Sequence, residues 1–147
     1  MSDSDLIKLY SARILALAAD IPHHGRLAAP QGTARKRSPL CGSTVTVDVV
    51  VKDGRIADFA QDVKACALGQ ASAAVLGGVA VGRTLGELVA ARDALRAMLK
   101  EAGPVPAAPF DGYEVLLPAR DYKNRHASIL LALDAACEAT ELALAAA

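Results

Sequence analysis

The clearest pattern in this chain is an alternation of valine with more polar residues over positions 44–51. Successive side chains of a strand point to opposite faces, so this alternation predicts a strand with one buried face. Asp53-Gly54 follows and favours a two-residue type I′ turn, in which both residues need positive φ. Residues 55–64 therefore predict the partner strand of a hairpin. Their less regular period predicts a bulge near Ala60.

Before this hairpin, the pattern predicts one helix and a long connection. Apolar residues recur at helical spacing over residues 5–19, and Ser4 is the predicted N-cap. Pro22 ends that helix. Residues 22–39 are rich in Pro, Gly and His, and they predict an irregular connection with a short edge strand over 33–38. The apolar stripe consists of Ile7, Tyr10, Ile14, Leu17 and Ala18.

After the hairpin, small and apolar residues predict largely helical structure from Cys66 to about Lys100. Thr84 and Glu87 have the spacing of a capping box, in which each side chain accepts from the other residue's backbone N–H. A new helix is therefore predicted to begin at Thr84. The Gly and Pro residues of segment 103–106 end it.

The last part of the chain predicts an irregular stretch followed by a long helix. Residues 110–119 lack a clear period. Asp121 or Asn124 is the predicted cap of a helix that ends near Leu144. The order of the elements, a helix, antiparallel strands and then helices, predicts an α+β fold.

Composition narrows the class of protein to a small domain without general affinity for polyanions. The 147 residues predict a single domain over positions 1–147. Sixteen basic and sixteen acidic residues give zero net charge, which argues against nucleic-acid binding. No apolar stretch reaches the ~20 residues that span a bilayer. The acidic N-terminus lacks the positive region of a secretory signal, so we expect a cytoplasmic protein without a membrane partner.

Two cysteines and a histidine carry the candidate chemistry. Cys41 precedes the first strand of the hairpin, and Cys66 stands where the second strand ends and a helix begins. Cys41 is twelve residues before Asp53, and Cys66 is twelve residues after Gly54. Because a hairpin pairs residues symmetrically about its turn, both thiols are predicted to lie at the same end of the ribbon. His126, near the start of the last helix, could complete a site from the side.

These three residues are the candidate metal ligands. Two thiolates and an imidazole with one open position resemble a catalytic zinc site, and they could hold an iron–sulfur cluster only with a fourth ligand. The alternative is that Cys66 is a core residue and His126 a solvated one. Cys137 is predicted to be core, because it lies about three helical turns, roughly 16 Å, beyond His126.

Four segments of the chain resemble signature segments of a known family. They are Pro39-Leu-Cys-Gly-Ser43, Val51-Lys-Asp-Gly-Arg-Ile56, Lys64-Ala-Cys66-Ala-Leu-Gly-Gln-Ala-Ser-Ala73 and His126-Ala-Ser-Ile-Leu130. In this order and spacing they resemble the U-type iron–sulfur cluster assembly scaffolds, the IscU, SufU and NifU N-terminal domains. The resemblance implies a three-stranded antiparallel sheet against helices, a zinc or transient [2Fe–2S] site at Cys41, Cys66 and His126, and a cysteine desulfurase and other assembly proteins as partners.

The chain departs from the family pattern at ligand positions. Ser43 stands where the family has Asp, and Ala127 stands where it has a third cysteine, while His126 matches the family histidine. The family's Leu-Pro-Pro-Val-Lys segment is also missing, although Leu117-Pro-Ala-Arg120 stands nearby. A [2Fe–2S] cluster would have to borrow Cys137, a partner's thiol or a small thiol such as glutathione.

Two functions follow from this combination. In the first, the chain is a scaffold-like protein of iron–sulfur assembly that binds a cluster intermediate or zinc. It accepts sulfur on Cys41 or Cys66 and is otherwise not an enzyme. In the second, it is a degenerate homologue that binds or regulates a partner protein without assembling clusters. The basic segment 35–37 is then either a docking patch or a guard against edge-to-edge strand pairing. A hydrolytic zinc enzyme ranks third, because no carboxylate occupies a general-base position.

Overall fold

The structure is a computed structural model that describes residues 9–147. Within this range the chain forms one sheet, four helices and a 3₁₀-helical segment. The elements are α1 (Ala12–Ala19), β1 (Gly32–Arg37), β2 (Thr44–Lys52), β3 (Arg55–Lys64), α2 (Ala67–Gly77), α3 (Leu85–Lys100), the 3₁₀ segment (Phe110–Asp121) and α4 (Lys123–Ala146). This order confirms the predicted α+β class.

The sheet is three-stranded and antiparallel in the order β1-β2-β3. The type I′ turn is confirmed, because Asp53 and Gly54 have φ of 54° and 76°. The predicted bulge in β3 is present, but its predicted position near Ala60 is wrong. Val51 pairs with Ile56 and Val50 with Asp58, so the extra residue is Ala57.

The first helix is shorter than its apolar stripe predicts. Ser11 is not helical, and its hydroxyl accepts from the N–H of Ile14 at 3.3 Å, so α1 begins at Ala12. The prediction of one continuous helix over residues 5–19 is therefore wrong at Ser11. The predicted cap Ser4 and the start of that helix lie outside the described residues. A Ser side chain that bonds the backbone one turn ahead is a strong N-cap, and this local bond overrides the continuing stripe.

The second half of the chain follows its capping signals in part. Thr84 and Glu87 form the predicted capping box at the start of α3. The stretch predicted to be irregular is instead 3₁₀-helical. The predicted caps of α4 are also wrong, since Tyr122 is the N-cap residue and no side chain caps the helix. Asp121 instead ends the 3₁₀ segment, and Asn124 lies inside α4.

Helix α4 is the centre of the molecule. It packs on β1 and β2 on one side and on α2 and α3 on the other, and most of its residues between His126 and Ala143 are buried. Cys137 is 4% exposed and belongs to this core, as predicted. No helix in the described part of the chain is long and apolar enough to cross a membrane.

One buried carboxylate fastens the connection before β1 to the sheet. The Asp48 side chain is fully buried and lies 2.7 Å from Nε of Arg26. It also accepts from the Thr33 hydroxyl at 2.7 Å and from the Leu27 N–H at 3.0 Å. Burial alone would raise the pKa of Asp48, but these bonds together hold it below its usual value. Asp48 therefore joins three separate stretches of backbone.

Candidate functional site

Cys41 lies in a tight loop between β1 and β2. The Ser38 N–H donates to the Ser43 carbonyl at 2.8 Å, and the Gly42 N–H donates to the Ser38 carbonyl at 2.9 Å. Gly42 has a φ of 69°, a conformation that glycine adopts without steric cost. These bonds close the loop and leave the Cys41 side chain exposed. Leu40 beside it is 74% exposed.

Cys66 is the N-cap residue of α2, directly after β3. It is half-buried, and its carbonyl accepts from the Gln70 N–H at 2.9 Å. The bulge shifts the predicted pairing by one residue, but both thiols still reach the same end of the hairpin. They line one cavity of about 410 Å³, together with Gly42, Ser43, Lys64, Ala65 and Arg125. The structure thus brings these two predicted residues together.

Two serine hydroxyls connect the thiols. The Ser128 hydroxyl donates to Oγ of Ser43 at 3.1 Å and lies 3.5 Å from Sγ of Cys66. Oγ of Ser43 lies 3.0 Å from Sγ of Cys41. A continuous hydrogen-bonded path therefore runs from one sulfur to the other, and we call Ser43 and Ser128 the serine pair.

Sequence reasoning missed the serine pair as a functional unit. Ser43 drew attention only because it replaces an Asp of the family, and Ser128 drew none. The two residues are 85 positions apart, so no local pattern joins them. The available signal was the position of each serine two residues after a candidate ligand, Cys41 or His126.

Hydroxyl groups also tune the charge of the exposed thiol. As a thiol, Cys41 donates from Sγ to Oγ of Ser38 at 3.3 Å, and once the thiol has lost its proton that hydroxyl can turn and donate to the sulfur. Hydrogen bonds with Ser38 first and Ser43 second lower the pKa of Cys41 to about 6, with a further contribution from Ser128. A donated hydrogen bond stabilises a thiolate, which is the nucleophilic form of cysteine. Burial in the core raises the pKa of Cys137 to about 11.

His126 does not line the cavity of the two thiols. It is 3% exposed, and its Nε2 lies 3.0 Å from the Ala119 carbonyl and 3.1 Å from the Arg120 carbonyl. Because carbonyls only accept, Nε2 carries the proton and donates to both. The His126 ring instead borders a separate cavity of about 510 Å³ with Lys100 and Lys123. As a ligand, His126 therefore stays a prediction from the resemblance.

The donor set does not complete a metal or cluster site. Among the residues that the structure describes, no group of three or more His, Cys, Asp and Glu side chains is placed to hold a metal ion. A [2Fe–2S] cluster takes four protein ligands, and a zinc site takes three or four. The cavity offers two such ligands, Cys41 and Cys66, and the hydroxyls of Ser43 and Ser128 connect them. What these residues provide together is a paired, hydrogen-bonded set of nucleophiles.

Comparisons with known proteins give a consistent result. Residues 9–127 match the family described as the NifU-like N-terminal domain. A solved N-terminal NifU-like protein from Brucella abortus is 46% identical, with 97% of this chain and 99% of that chain covered and a TM-score of 0.93. Comparison with proteins of curated function gives no match.

More distant solved structures share the fold. A hypothetical protein is 24% identical, with 92% of this chain and 98% of that chain covered and a TM-score of 0.81. A candidate iron–sulfur cluster assembly scaffold of the SUF system from Fervidobacterium islandicum is 20% identical, with coverages of 91% and 98% and a TM-score of 0.80. These two likenesses bear on the fold alone.

Proposed function

Because this chain belongs to the NifU-like N-terminal domain family of iron–sulfur assembly scaffolds, we propose that it serves cluster assembly as a sulfur acceptor. In this proposal Cys41 takes sulfane sulfur from a cysteine desulfurase, the partner with which such scaffolds generally work. The observation that carries the proposal is the environment of Cys41, an exposed thiol with serine hydroxyls at its sulfur.

The proposed reaction is a persulfide exchange. The Cys41 thiolate attacks the terminal sulfur of the desulfurase's cysteine persulfide. A new S–S bond forms on Cys41, the S–S bond of the desulfurase breaks, and the desulfurase's cysteine leaves as a thiolate. One S–S bond replaces another, so no external oxidant or reductant is needed.

The surroundings of Cys41 support docking of such a partner. Leu40 next to it is exposed and apolar, and Lys64 and Arg125 line the same cavity. Apolar side chains anchor protein interfaces, and cations beside a thiol favour its anionic form and that of a persulfide.

A cluster would be cargo of this chain, held with help from outside. Cys41 and Cys66 supply two thiolates, and the remaining ligands would come from a partner's thiol or a small thiol. The same holds for zinc, because Ala127 replaces the third cysteine and His126 does not line the cavity of the two thiols.

The test is transfer of radiolabelled sulfur from cysteine under anaerobic conditions, with a cysteine desulfurase as donor. We expect label on this chain that dithiothreitol releases. Cys41→Ser should abolish it, and the matched control Cys137→Ser should keep it, because Cys137 is a buried core thiol. Equal labelling of Cys41→Ser and the parent would contradict the proposal.

A second candidate is a partner-binding module without sulfur chemistry. It is favoured by the missing third ligand and by the position of His126 outside the thiol cavity. It predicts no cysteine-dependent label and desulfurase binding that survives Cys41→Ser. Under this candidate, reversing the charges of Arg35, Lys36 and Arg37 on the edge strand β1 should weaken that binding.

A further inference from the structure

We infer that Cys66 is a second sulfur-carrying residue and that sulfur passes to it from Cys41 across the serine pair. This inference rests on the proposed function, because sulfur must first arrive on Cys41. It assigns different tasks to the two thiols, with Cys41 as the exposed entry point and Cys66 as the sheltered holding point.

The placement of the two sulfurs supports a direct handover. The hydrogen-bonded path between the two sulfurs passes only through the serine pair. Its distances are 3.5 Å from Sγ of Cys66 to Oγ of Ser128, 3.1 Å from there to Oγ of Ser43, and 3.0 Å from there to Sγ of Cys41. An added sulfur atom lengthens the Cys41 side chain by about 2 Å, the length of an S–S bond. Cys41 is exposed and free to swing that atom into the cavity that both thiols line.

The handover balances without an added reactant. The sulfur of Cys66 attacks the terminal sulfur of the Cys41 persulfide, an S–S bond forms on Cys66, and the S–S bond on Cys41 breaks. Cys41 leaves as a thiolate and receives the proton that Cys66 gives up. The sulfane sulfur keeps its oxidation state, because one persulfide replaces another.

The serine pair provides the route for that proton. The Ser128 hydroxyl donates to Ser43. The contacts of Ser43 with Cys41 and of Cys66 with Ser128 are each open to either donor. One consistent order is therefore Cys66 to Ser128, Ser128 to Ser43, and Ser43 to Cys41. Ser128 acts as a positioning residue, since it aligns the Cys66 thiol and relays its proton.

The position of Cys66 suits a holding point. It is half-buried at the N-terminus of α2, where the first backbone N–H groups of a helix favour a negatively charged group. Gly69 of α2 lies so close to Ser128 that an added Cβ would come within 2.7 Å of its hydroxyl. This close packing holds Ser128 in place beside Cys66.

The competing chemistry is resolution of the persulfide as a disulfide. In that reaction Cys66 attacks the inner sulfur of Cys41 and forms a Cys41–Cys66 disulfide. The sulfane sulfur then leaves as hydrosulfide, reduced by the two electrons that the thiols lose. Released sulfide with a disulfide product would therefore contradict the handover.

The experiment is a time course of peptide mass spectrometry on the full chain. A cysteine desulfurase with cysteine loads the protein anaerobically, and alkylation stops the reaction. We expect persulfide on the Cys41 peptide first and on the Cys66 peptide later. In Cys66→Ser it should stay on Cys41, and in Cys41→Ser the Cys66 peptide should remain unloaded. Persulfide that stays on Cys41 in the parent chain would overturn the inference and leave the proposed function standing, whereas no persulfide on either peptide would overturn both.

Ser128→Ala isolates the positioning role. It should slow the appearance of persulfide on Cys66 by about tenfold or more, since positioned proton transfer contributes roughly 10²–10⁴ to rates. Loading of Cys41 should change much less than the handover, because the hydroxyls of Ser38 and Ser43 remain at its sulfur. Ser72→Ala is the matched control, because the Ser72 hydroxyl is also buried against α4 and donates to the Ile129 carbonyl at 2.6 Å. Among the described residues, it does not bond to Cys41 or Cys66. Handover as fast in Ser128→Ala as in Ser72→Ala would overturn this role.

Discussion

At the scale of single residues, a hydroxyl replaces the carboxylate of the family's site, and the methyl group of Ala127 replaces its third thiol. Ser43 occupies the position of an Asp, and its hydroxyl bonds both Cys41 and Ser128. An Asp there would add a metal ligand and a negative charge beside the thiol. A hydroxyl instead donates a hydrogen bond, which favours a thiolate. The substitution therefore replaces a candidate metal ligand with a group that can hydrogen-bond to the thiol.

The reactivity of Cys41 should follow its lowered pKa. Because the thiolate forms as pH rises through the pKa, alkylation by iodoacetamide should rise with a midpoint near pH 6. At pH 7.5 we expect Cys41 to react at least about tenfold faster than Cys137, which is buried and has its pKa raised to about 11. Peptide mass spectrometry of the alkylated protein measures both rates.

Ser38→Ala tests the cause of that pKa. The Ser38 hydroxyl makes the largest contribution, so its removal should move the midpoint upward by about one pH unit. Ser72→Ala should leave the midpoint in place. A parent midpoint near the ordinary thiol value of about 8.5 would contradict the assignment.

Only part of the site could be predicted from the sequence. Cys41 and Cys66 could be paired because a recognisable turn, Asp53-Gly54, fixes the symmetry of the strands that carry them. The bond between Ser43 and Ser128 joins segments 85 residues apart and depends on how α4 packs, which no local pattern encodes. For the same reason, the sequence could not show that His126 bonds carbonyls of the preceding 3₁₀ segment.

At the scale of elements, the Asp53-Gly54 turn, the alternating strand and the Thr84–Glu87 capping box were predicted correctly, whereas the caps of α4 and the extent of the first helix were not. The hairpin and the capping box follow from side chains that act on neighbouring backbone. The bulge was misplaced because Ala60 and Gln61 are both buried, which breaks the strand period without a register shift. The polar side chain of Gln61 can be buried there because its Nε2 donates to the carbonyl of Ala73 in α2 at 2.9 Å. Because successive residues on both faces of β3 are buried here, the apolar pattern of the sequence does not indicate the position of the bulge.

The bonds of Asp48 should stabilise the connection before β1. Asp48→Asn should lower the free energy of unfolding by about 2 kcal/mol, because three donors lose a charged, buried acceptor. Urea unfolding at pH 7 measures the loss. Since its pKa is lowered in the folded state, the contribution of Asp48 is present above the unfolded pKa of about 3.9 and is lost as pH falls below it.

An exposed carboxylate supplies the control for that measurement. Asp58 lies on the outer surface of β3, and Asp58→Asn should change stability by less than about 0.5 kcal/mol. Equal effects of the two substitutions on the free energy of unfolding would contradict a stabilising role for the bonds of Asp48.

The contact of α2 with α4 should depend on Gly69. An added Cβ would lie 2.7 Å from the Ser128 hydroxyl and 2.8 Å from Cβ of Ala65. Gly69→Ala should therefore lower the free energy of unfolding by about 2 kcal/mol through overpacking. Gly86→Ala is the matched control, because a Cβ in α3 meets only Oγ1 of Thr84 at 3.9 Å. That control should be neutral or stabilising by up to about 1 kcal/mol. Destabilisation of similar size by both would contradict the role of close packing.

At the scale of the whole molecule, the family fold is present with an incomplete ligand set. The sheet, the central α4 and the paired loops bring Cys41 and Cys66 together as the family resemblance implies. Ala127 leaves the third thiol out. Under the proposed function, this architecture accepts sulfur without requiring that a cluster stay on this chain.

Restoring the family's ligands should restore cluster retention. The double change Ser43→Asp and Ala127→Cys adds a carboxylate and a third thiol at the family's ligand positions. After anaerobic incubation with iron and sulfide we expect bound iron and sulfide that the parent chain does not keep. Ala107→Cys, which adds an exposed thiol on the segment before the 3₁₀ helix, should not gain them. Cluster binding by that control variant would contradict the explanation.

The most direct test of this account measures sulfane sulfur, iron and acid-labile sulfide in one sample of the parent chain. The sample is incubated anaerobically with iron, cysteine and a cysteine desulfurase, and then separated from them. We expect close to one sulfane sulfur per chain, lost in Cys41→Ser, with little iron or labile sulfide. Stoichiometric iron and labile sulfide with the visible absorption of a cluster, and no sulfane sulfur, would contradict it.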